Sequence, residues 1–385
     1  MSKVNHQSIC YIVPSYTPDE ASHMAHLPHF LGELGKYCDV RVIIQRGKGQ
    51  PRIPNVRSVY VQRPGNHFER ATELIRLALR LRREGCRKFF IRISASAALE
   101  VGLIGRLMGL QTYYWLSGQV KHMKPTWRKG LRRRMYYEVG DWLVRLNIRL
   151  AHRFVTGPKS MVDYFVREYA VNPAKIILMY NDINLDAFAP VATATQKERL
   201  RMELGLPAKS SIILSSSRVS PNKGGHFLPK IAQSLYQHRV DTLLVVVGDI
   251  HLPRVVEIAR QEGLSNLLFL GPVPNTQLPK FYQAADVFIL PSEEEGFPRK
   301  ILEAMACGIP IVAFDVGGVR DILAPEQFPF IIPRGDIQSL VNKAITLLND
   351  PSLRAEQARL GVCKVRHYST ERVARMFVER IVYGE

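Results

Sequence analysis

Two glutamates separated by seven residues, Glu295 and Glu303, are the side chains of this 385-residue sequence best spaced to do chemistry together. They stand in the run Glu293-Glu-Glu-Gly-Phe-Pro-Arg-Lys-Ile-Leu-Glu303, after apolar Val287–Leu290 and before a stop at Gly308 and Pro310. That pattern predicts a strand at 287–290, a loop at 291–298 and a helix at 299–306. Glu295 then lies in the loop over a helix N-terminus, and Glu303 about one turn inside the helix. Backbone N–H groups at a helix start can cradle phosphate. A carboxylate at Glu303 can accept from ribose hydroxyls, and one at Glu295 can hold sugar hydroxyls. The same residues also suit an ordinary acidic loop followed by an amphipathic helix with Glu303 facing solvent, and this segment alone leaves both readings open.

A second cluster lies upstream. Ser215-Ser-Ser-Arg218-Val-Ser-Pro-Asn-Lys223-Gly-Gly follows directly on the apolar run at 211–215. A strand, a small-residue loop with two cations and then a helix suits Arg218 and Lys223 reaching one diphosphate. Arginine offers bidentate hydrogen bonds and lysine a point charge. Either residue singly reads as a surface charge; the pair after a strand favours a site. No Asp-x-Asp pair accompanies them, so fixed cations, not a metal, are expected to neutralise the diphosphate. No metal site and no cofactor is expected.

The elements that must carry these residues alternate along the whole chain. Ser8–Val13 and 40–44 read as strands around a helix near 24–36, the pattern of a parallel βαβ unit. A helix at 68–84 and strands at 89–93, 112–116, 154–156 and 176–179 follow. Pro190-Val-Ala-Thr-Ala-Thr-Gln196 is small and polar, and reads as a linker. Beyond it strands are expected at 211–215, 243–247, 267–269, 287–290 and 309–314. The fold class expected is α/β, with two Rossmann-like domains facing across a cleft: residues 1–190, and 191–366 with the nucleotide site. Open parallel sheets bind ligands at the carboxyl ends of their strands.

Composition agrees with two domains, because a chain this long exceeds the size of one ordinary core. No apolar run reaches the roughly 18 residues of a membrane span, and the start lacks a signal-peptide pattern. The five cysteines, Cys10, Cys38, Cys86, Cys307 and Cys363, never form CxxC and read as buried small residues of a reducing cytosol. The formal net charge is +19. Residues 1–190 hold 30 Lys+Arg against 14 Asp+Glu, whereas 191–385 hold 23 against 20. The first half should therefore face something anionic, a membrane surface or nucleic acid, unless the basic surface serves solubility alone.

The segment Glu295-Gly-Phe-Pro…Leu302-Glu-Ala-Met-Ala-x-Gly-x-Pro…Gly317-Gly318 resembles the glutamate–seven residues–glutamate motif of glycosyltransferase family four, retaining enzymes of GT-B architecture. Other pieces agree in order: Arg218…Lys223-Gly224; 243–249; Leu270-Gly271; Tyr282-x-Ala-Ala-Asp-Val-Phe288; and Pro291-Ser292. Tyr180-Asn-Asp-Ile-Asn184…Phe188-x-Pro190 resembles the family's interdomain loop. His367-Tyr-Ser…Arg372-Val-Ala374 resembles its closing helix, so residues 367–385 are expected to cross back to the first domain. The resemblance runs from about residue 151 onward. It implies that Arg218 and Lys223 bind the donor diphosphate, Glu303 the ribose and Glu295 the transferred sugar, with Gly296, Phe297 and Pro298 along it. Leu270 to Val273, including Gly271, would flank the base. It further implies transfer of a hexosyl unit to a hydroxyl acceptor, lipid-linked or polysaccharide, without a metal. Arg299 and Lys300 depart from the apolar or amide residues usual after Gly-Phe-Pro.

The first 150 residues match less well. The loop 14–20 lacks the family's Gly-Gly pair, and Leu116-Ser-Gly-Gln119 lacks its histidine; nearby His122 is either functional or a plain surface residue. The segment 121–153 interleaves Trp127, Tyr136, Tyr137 and Trp142 with Arg128, Lys129, Arg132, Arg133, Arg134, Arg145 and Arg149. Rings and arginines in a helical stretch suit lipid headgroups, which points to peripheral attachment at the inner membrane face and not to nucleic acid. A core helix with a solvated basic face is the other reading. Competing functions are another GT-B sugar-nucleotide enzyme, a 2-epimerase or phosphorylase, or a non-catalytic basic binder. The binder would not need Arg218, Lys223, Glu295 and Glu303 together, and no pyridoxal lysine signal supports a phosphorylase.

Overall fold

The structure is a computed structural model that describes residues 7–16, 24, 26–47, 49, 51–118 and 131–384, with backbone only at 131–137. Residues up to Asp182 and from Thr370 onward form one compact unit, and Ile183–Ser369 form the other. Each is a parallel-sheet α/β domain.

In the first unit seven strands lie in the order β3-β2-β1-β4-β5-β6-β7, every pairing parallel. They are β1 Ser8–Val13, β2 Asp39–Ile44, β3 Ser58–Val61, β4 Lys88–Arg92, β5 Gln111–Trp115, β6 Arg153–Thr156 and β7 Ile176–Leu178. Apolar runs are needed here because helices cover both sheet faces. The period of two is visible in β1: Ile9, Tyr11 and Val13 enter one core, Cys10 and Ile12 the other. The Thr370–Phe377 helix belongs to the first of these cores. Its Phe377 ring lies 4.8 Å from Phe90 and 6.0 Å from Tyr11, centroid to centroid.

Two expectations shift in this unit. The helix expected at 24–36 is Leu27–Leu34, and the strand expected through residue 93 stops at Arg92. Ile93 has φ +66° and Ser94 N donates to the Arg92 carbonyl at 2.7 Å, so the chain turns sharply there. The half-buried β3 at the sheet edge was not anticipated.

The second unit has six strands in the order β10-β9-β8-β11-β12-β13, again all parallel. They are β8 Ser211–Ser215, β9 Thr242–Val247, β10 Leu267–Gly271, β11 Val287–Leu290, β12 Ile311–Phe314 and β13 Ile331–Ile332. The strand order reverses direction between β8 and β11, as it does between β1 and β4, and ligands of open parallel sheets collect at such switch points. The expected linker at 190–196 is half helix: Thr193 caps Ala194–Glu203 by accepting from Gln196 N at 3.2 Å. The capping residue was hidden in a run that looked merely small and polar. Lys197 and Arg201 of that helix each reach Asp286 at 2.7 Å, which fastens it beside β11.

Cys10, Cys38, Cys86 and Cys307 are buried free thiols, as expected; Cys363 is exposed, because it falls on the outer face of the Pro351–Val365 helix. Among the described residues no helix is long and apolar enough to cross a membrane.

Candidate active site in the second domain

The loop after β8 and the loop after β11 meet at the switch point. Their backbones are tied together: Glu293 N and Glu294 N both donate to the Asn222 carbonyl, at 3.1 and 3.2 Å. Gly224, at φ +68°, packs against the Pro291 carbonyl so closely that a Cβ there would overlap it. Gly317, at φ +52°, does the same to the Glu295 carbonyl, and Gly318 N donates to the Gly296 carbonyl at 2.9 Å. The loops after β8 and β12 thus hold the loop after β11 in one shape.

On that frame Glu295 is fixed by two donors. Lys223 Nζ lies 2.6 Å from its Oε1, and Ser292 Oγ donates to the same oxygen at 2.9 Å. Both ends of the ion pair are sheltered, with side-chain exposures of 21% for Lys223 and 9% for Glu295. The structure therefore joins two residues that the sequence placed in separate clusters. Gly296 leads into buried Phe297, whose ring packs edge-on against Tyr368 at 5.6 Å, and Pro298 caps the next helix.

That helix is Arg299–Ala306, with the bounds expected from sequence, and it buries Glu303 to 6% exposure. The solvent-facing alternative for Glu303 is thereby excluded. Tyr282 donates to Glu303 Oε2 at 2.8 Å, and Lys300 Nζ reaches the same oxygen at 2.9 Å. The Tyr282 hydroxyl also bonds Ser216 Oγ. Burial, and then the charge of Glu303, push the Tyr282 pKa well above the usual phenol range, so the ring keeps its proton and donates it. Tyr282 and Ser216 were not predicted to take part. Tyr282 appeared in a family-like segment, but nothing local linked it to a carboxylate 21 residues later.

Arg218 is exposed, and no hydrogen bond or ion pair to its guanidinium occurs among the described residues. Its backbone is anchored, since Val219 N donates to the Asp249 carbonyl at 2.8 Å and His251 N to the Val219 carbonyl at 3.0 Å. Gly271 ends β10 at φ +72°, with its carbonyl accepting from Gly248 N at 2.8 Å, and Val273 is half-buried two residues on. Arg218, Lys223, Glu295 and Glu303 thus hang on two loops and one helix at a single sheet edge. Among the described residues no group of three or more His, Cys, Asp or Glu is arranged around a common point.

In the first domain much of the expected membrane segment lies outside the described residues: Gln119, His122, Trp127, Arg128 and Lys129, and the side chains of Arg132, Arg133, Arg134, Tyr136 and Tyr137. Thr17 to Glu20 are outside as well. In the described part of the Leu131–Leu150 helix, Trp142 is 62% exposed, whereas Arg145 is occupied internally. It pairs with Asp141 at 3.2 Å, donates to the Glu168 carbonyl at 2.8 Å and lies over the Tyr169 ring. Arg145 is thus a packing residue and not a free headgroup contact.

Residues 196–361 match the sequence profile of a family described as glycosyl transferases group 1. A D-inositol 3-phosphate glycosyltransferase of Catenulispora acidiphila is 27% identical over 279 residues, which span 64% of each chain. A UDP-Gal:alpha-D-GlcNAc-diphosphoundecaprenol alpha-1,3-galactosyltransferase of Escherichia coli is 28% identical over 58% of each chain. The matches to these curated relatives thus span less than two thirds of their length. Among solved structures, Anabaena HepE in complex with UDP and glucose superposes with a TM-score of 0.77 at 18% identity, covering 98% of this chain and 100% of that one. That likeness bears on the fold, which is GT-B.

Proposed function

We infer that this chain, a family-four-like protein of GT-B architecture, is a retaining glycosyltransferase that moves a hexosyl unit from a nucleoside-diphosphate sugar to a hydroxyl acceptor. One observation carries the reading: Glu295 and Glu303 are both sheltered and pre-ordered, by Lys223 and by Tyr282 with Lys300, inside the profile-matched segment. A structural role alone would not require two sheltered carboxylates, one of them buried, each with a lysine beside it at a ligand-binding sheet edge.

In this reading Glu303 takes the ribose hydroxyls and Glu295 the sugar hydroxyls, with Gly296, Phe297 and Pro298 beneath the sugar. Arg218 and Lys223 neutralise the diphosphate, and Gly271 and Val273 flank the base. The bond from the anomeric carbon to the phosphate oxygen breaks while the acceptor oxygen bonds to that carbon on the same face. The acceptor proton passes to the departing phosphate, so no protein nucleophile is needed. Positioning and fixed charge are the protein's contribution. The donor class is supported by the UDP and glucose complex of the similar fold, and a lipid-linked acceptor by the diphosphoundecaprenol in a relative's name. A panel of UDP-, GDP- and ADP-sugars tests the reading: one or two should raise the melting temperature and be hydrolysed slowly. No shift with any donor would discard it. Activity should survive EDTA, and full dependence on added magnesium or manganese would remove the fixed-cation part.

We further propose that the first domain docks on an anionic membrane face. Trp142 and, on the Ala95–Met108 helix packed beside it, Leu103 and 83%-exposed Leu107 present apolar groups, and the surrounding half of the chain carries the charge excess. Each basic residue near such a surface contributes about 1 kcal/mol, so reversing Arg132, Arg133 and Arg134 to Glu should cost a hundredfold or more in binding to phosphatidylglycerol vesicles. Nucleotide affinity should be unchanged. Equal recovery on neutral and anionic vesicles would refute the docking.

A further inference from the structure

Glu295 and Glu303 share an arrangement that their spacing in the sequence does not announce. In each, one carboxylate oxygen is engaged twice, by a lysine and by a hydroxyl. Lys223 Nζ and Ser292 Oγ meet Glu295 Oε1 at 2.6 and 2.9 Å. Lys300 Nζ and the Tyr282 hydroxyl meet Glu303 Oε2 at 2.9 and 2.8 Å. The other oxygens, Oε2 of Glu295 and Oε1 of Glu303, have no protein partner among the described residues. Neither of them is fully buried.

An ionised carboxylate oxygen offers about two acceptor sites, so the engaged oxygen of each glutamate is full. An arriving hydroxyl must use the other one. The two glutamates differ in what a ligand would change. Lys223 is a candidate contact for the donor diphosphate, so its hold on Glu295 is divided once a donor binds. Lys300 has no second task. It stands three residues before Glu303 on the same Arg299–Ala306 helix, a spacing that places the two side chains on one face.

The other partner of Glu303 is fixed more firmly still. Tyr282 is fully buried, and its hydroxyl is bonded to Ser216 Oγ as well. Its ring packs 6.1 Å from that of Phe188 and 5.5 Å from that of Phe288, centroid to centroid. Oε2 is therefore held from the protein side by Tyr282 and from the more open side by Lys300, whose side chain is 31% exposed.

We propose that Lys300 is a specificity-determining residue of the nucleotide site: with Tyr282 it fills Glu303 Oε2, so that the carboxylate reads one ribose hydroxyl, through Oε1 alone. The role rests on the reading of Glu303 as the ribose acceptor, and narrows it from two hydroxyls to one. The hydroxyl on Oε1 matters greatly, because a ligand lacking it covers a sheltered charge without supplying a donor. The neighbouring hydroxyl falls to Lys300 or to water, and water can replace it at little cost.

The test is calorimetric titration of the full chain. UDP, GDP and ADP are compared first, and the tightest is set against its 2′-deoxy and 3′-deoxy forms. One deoxy form should bind about tenfold or more weakly than the parent nucleotide, and the other within about threefold of it. This comparison needs no variant. Lys300→Met vacates a site on Oε2 and should bring both deoxy penalties to about tenfold, whereas Lys300→Gln, whose amide still donates, should keep the asymmetry. Equal penalties for the two deoxy forms on the unmutated chain, or none for either, would overturn the single-oxygen readout. An asymmetry that Lys300→Met leaves untouched would overturn the role of Lys300. Glu303→Gln separates the levels: nucleotide binding unchanged by it refutes the ribose role itself. No binding of any of the three nucleotides would discard the transferase reading, and this inference with it.

Discussion

Both sheets end in charged loops at their switch points, yet the two edges keep their charges in opposite states. At β8–β11 the carboxylates are satisfied in advance: Lys223 and Ser292 hold Glu295, and Tyr282 and Lys300 hold Glu303. At β1–β4 exposed Arg46 stands without an ion pair among the described residues, and half-buried Arg70 keeps a buried Nε with no hydrogen-bond partner. A sheltered carboxylate must have partners before any ligand arrives, because an unpaired buried charge costs several kcal/mol. An exposed guanidinium in water has no such need. For Glu295 and Glu303 against Arg46 the difference is one of burial.

Variants can break or sharpen that contrast. The largest effect is expected at Arg218, the one member of the second-domain set that is exposed and unpaired among the described residues. Arg218→Ala should cost about 3 kcal/mol of transition-state stabilisation, roughly a hundredfold in kcat/KM, with the melting temperature unchanged. A loss below threefold would remove it from the leaving-group site.

Lys223→Ala should act on stability too, since it strands Glu295. We expect a cost of about 2 kcal/mol, seen as a fall of roughly 4–8 °C in the melting of the second domain. Glu303→Gln should weaken free nucleotide and donor together by about tenfold, whereas Glu295→Gln should spare free nucleotide and lower turnover. Equal losses of nucleotide affinity in both would merge the two roles. The smallest effect belongs to the other edge: Arg46→Gln should change stability by less than about 0.5 kcal/mol. A drop as large as that of Lys223→Ala would show that the first-domain cations are structural and would erase the contrast.

The same contrast explains what could be read from sequence. The β11 loop and the Arg299–Ala306 helix are contiguous, so apolar period, Pro298 and Gly308 fix the position of both glutamates within thirty residues of chain. Their partners are remote: Lys223 lies 72 residues from Glu295, and Tyr282 reaches Glu303 across two elements. No local pattern announces such a pair. The first-domain edge is less legible still, because Arg46, Arg70 and Ser94 arrive from three different strand ends and each reads alone as an ordinary polar residue. Propensity also failed where capping decided the structure: Thr193 starts a helix inside an apparent linker. At Ile93 the reverse held, and a good strand former was bent out of its strand.

The insertion of Thr370–Phe377 into the first domain's core bears on how the chain is made. Phe377, Ile381 and Val382 complete a cluster begun by Ile9 and Tyr11, so this core stays incomplete until residues about 195 to 200 positions after Asp182 have emerged. At about 5–20 residues per second that delay is roughly 10–40 s. The second domain, Ile183–Ser369, needs nothing made later than itself. Of the two, the domain encoded second is therefore free to mature first, while the nascent first domain waits with one apolar face uncovered and open to chaperones.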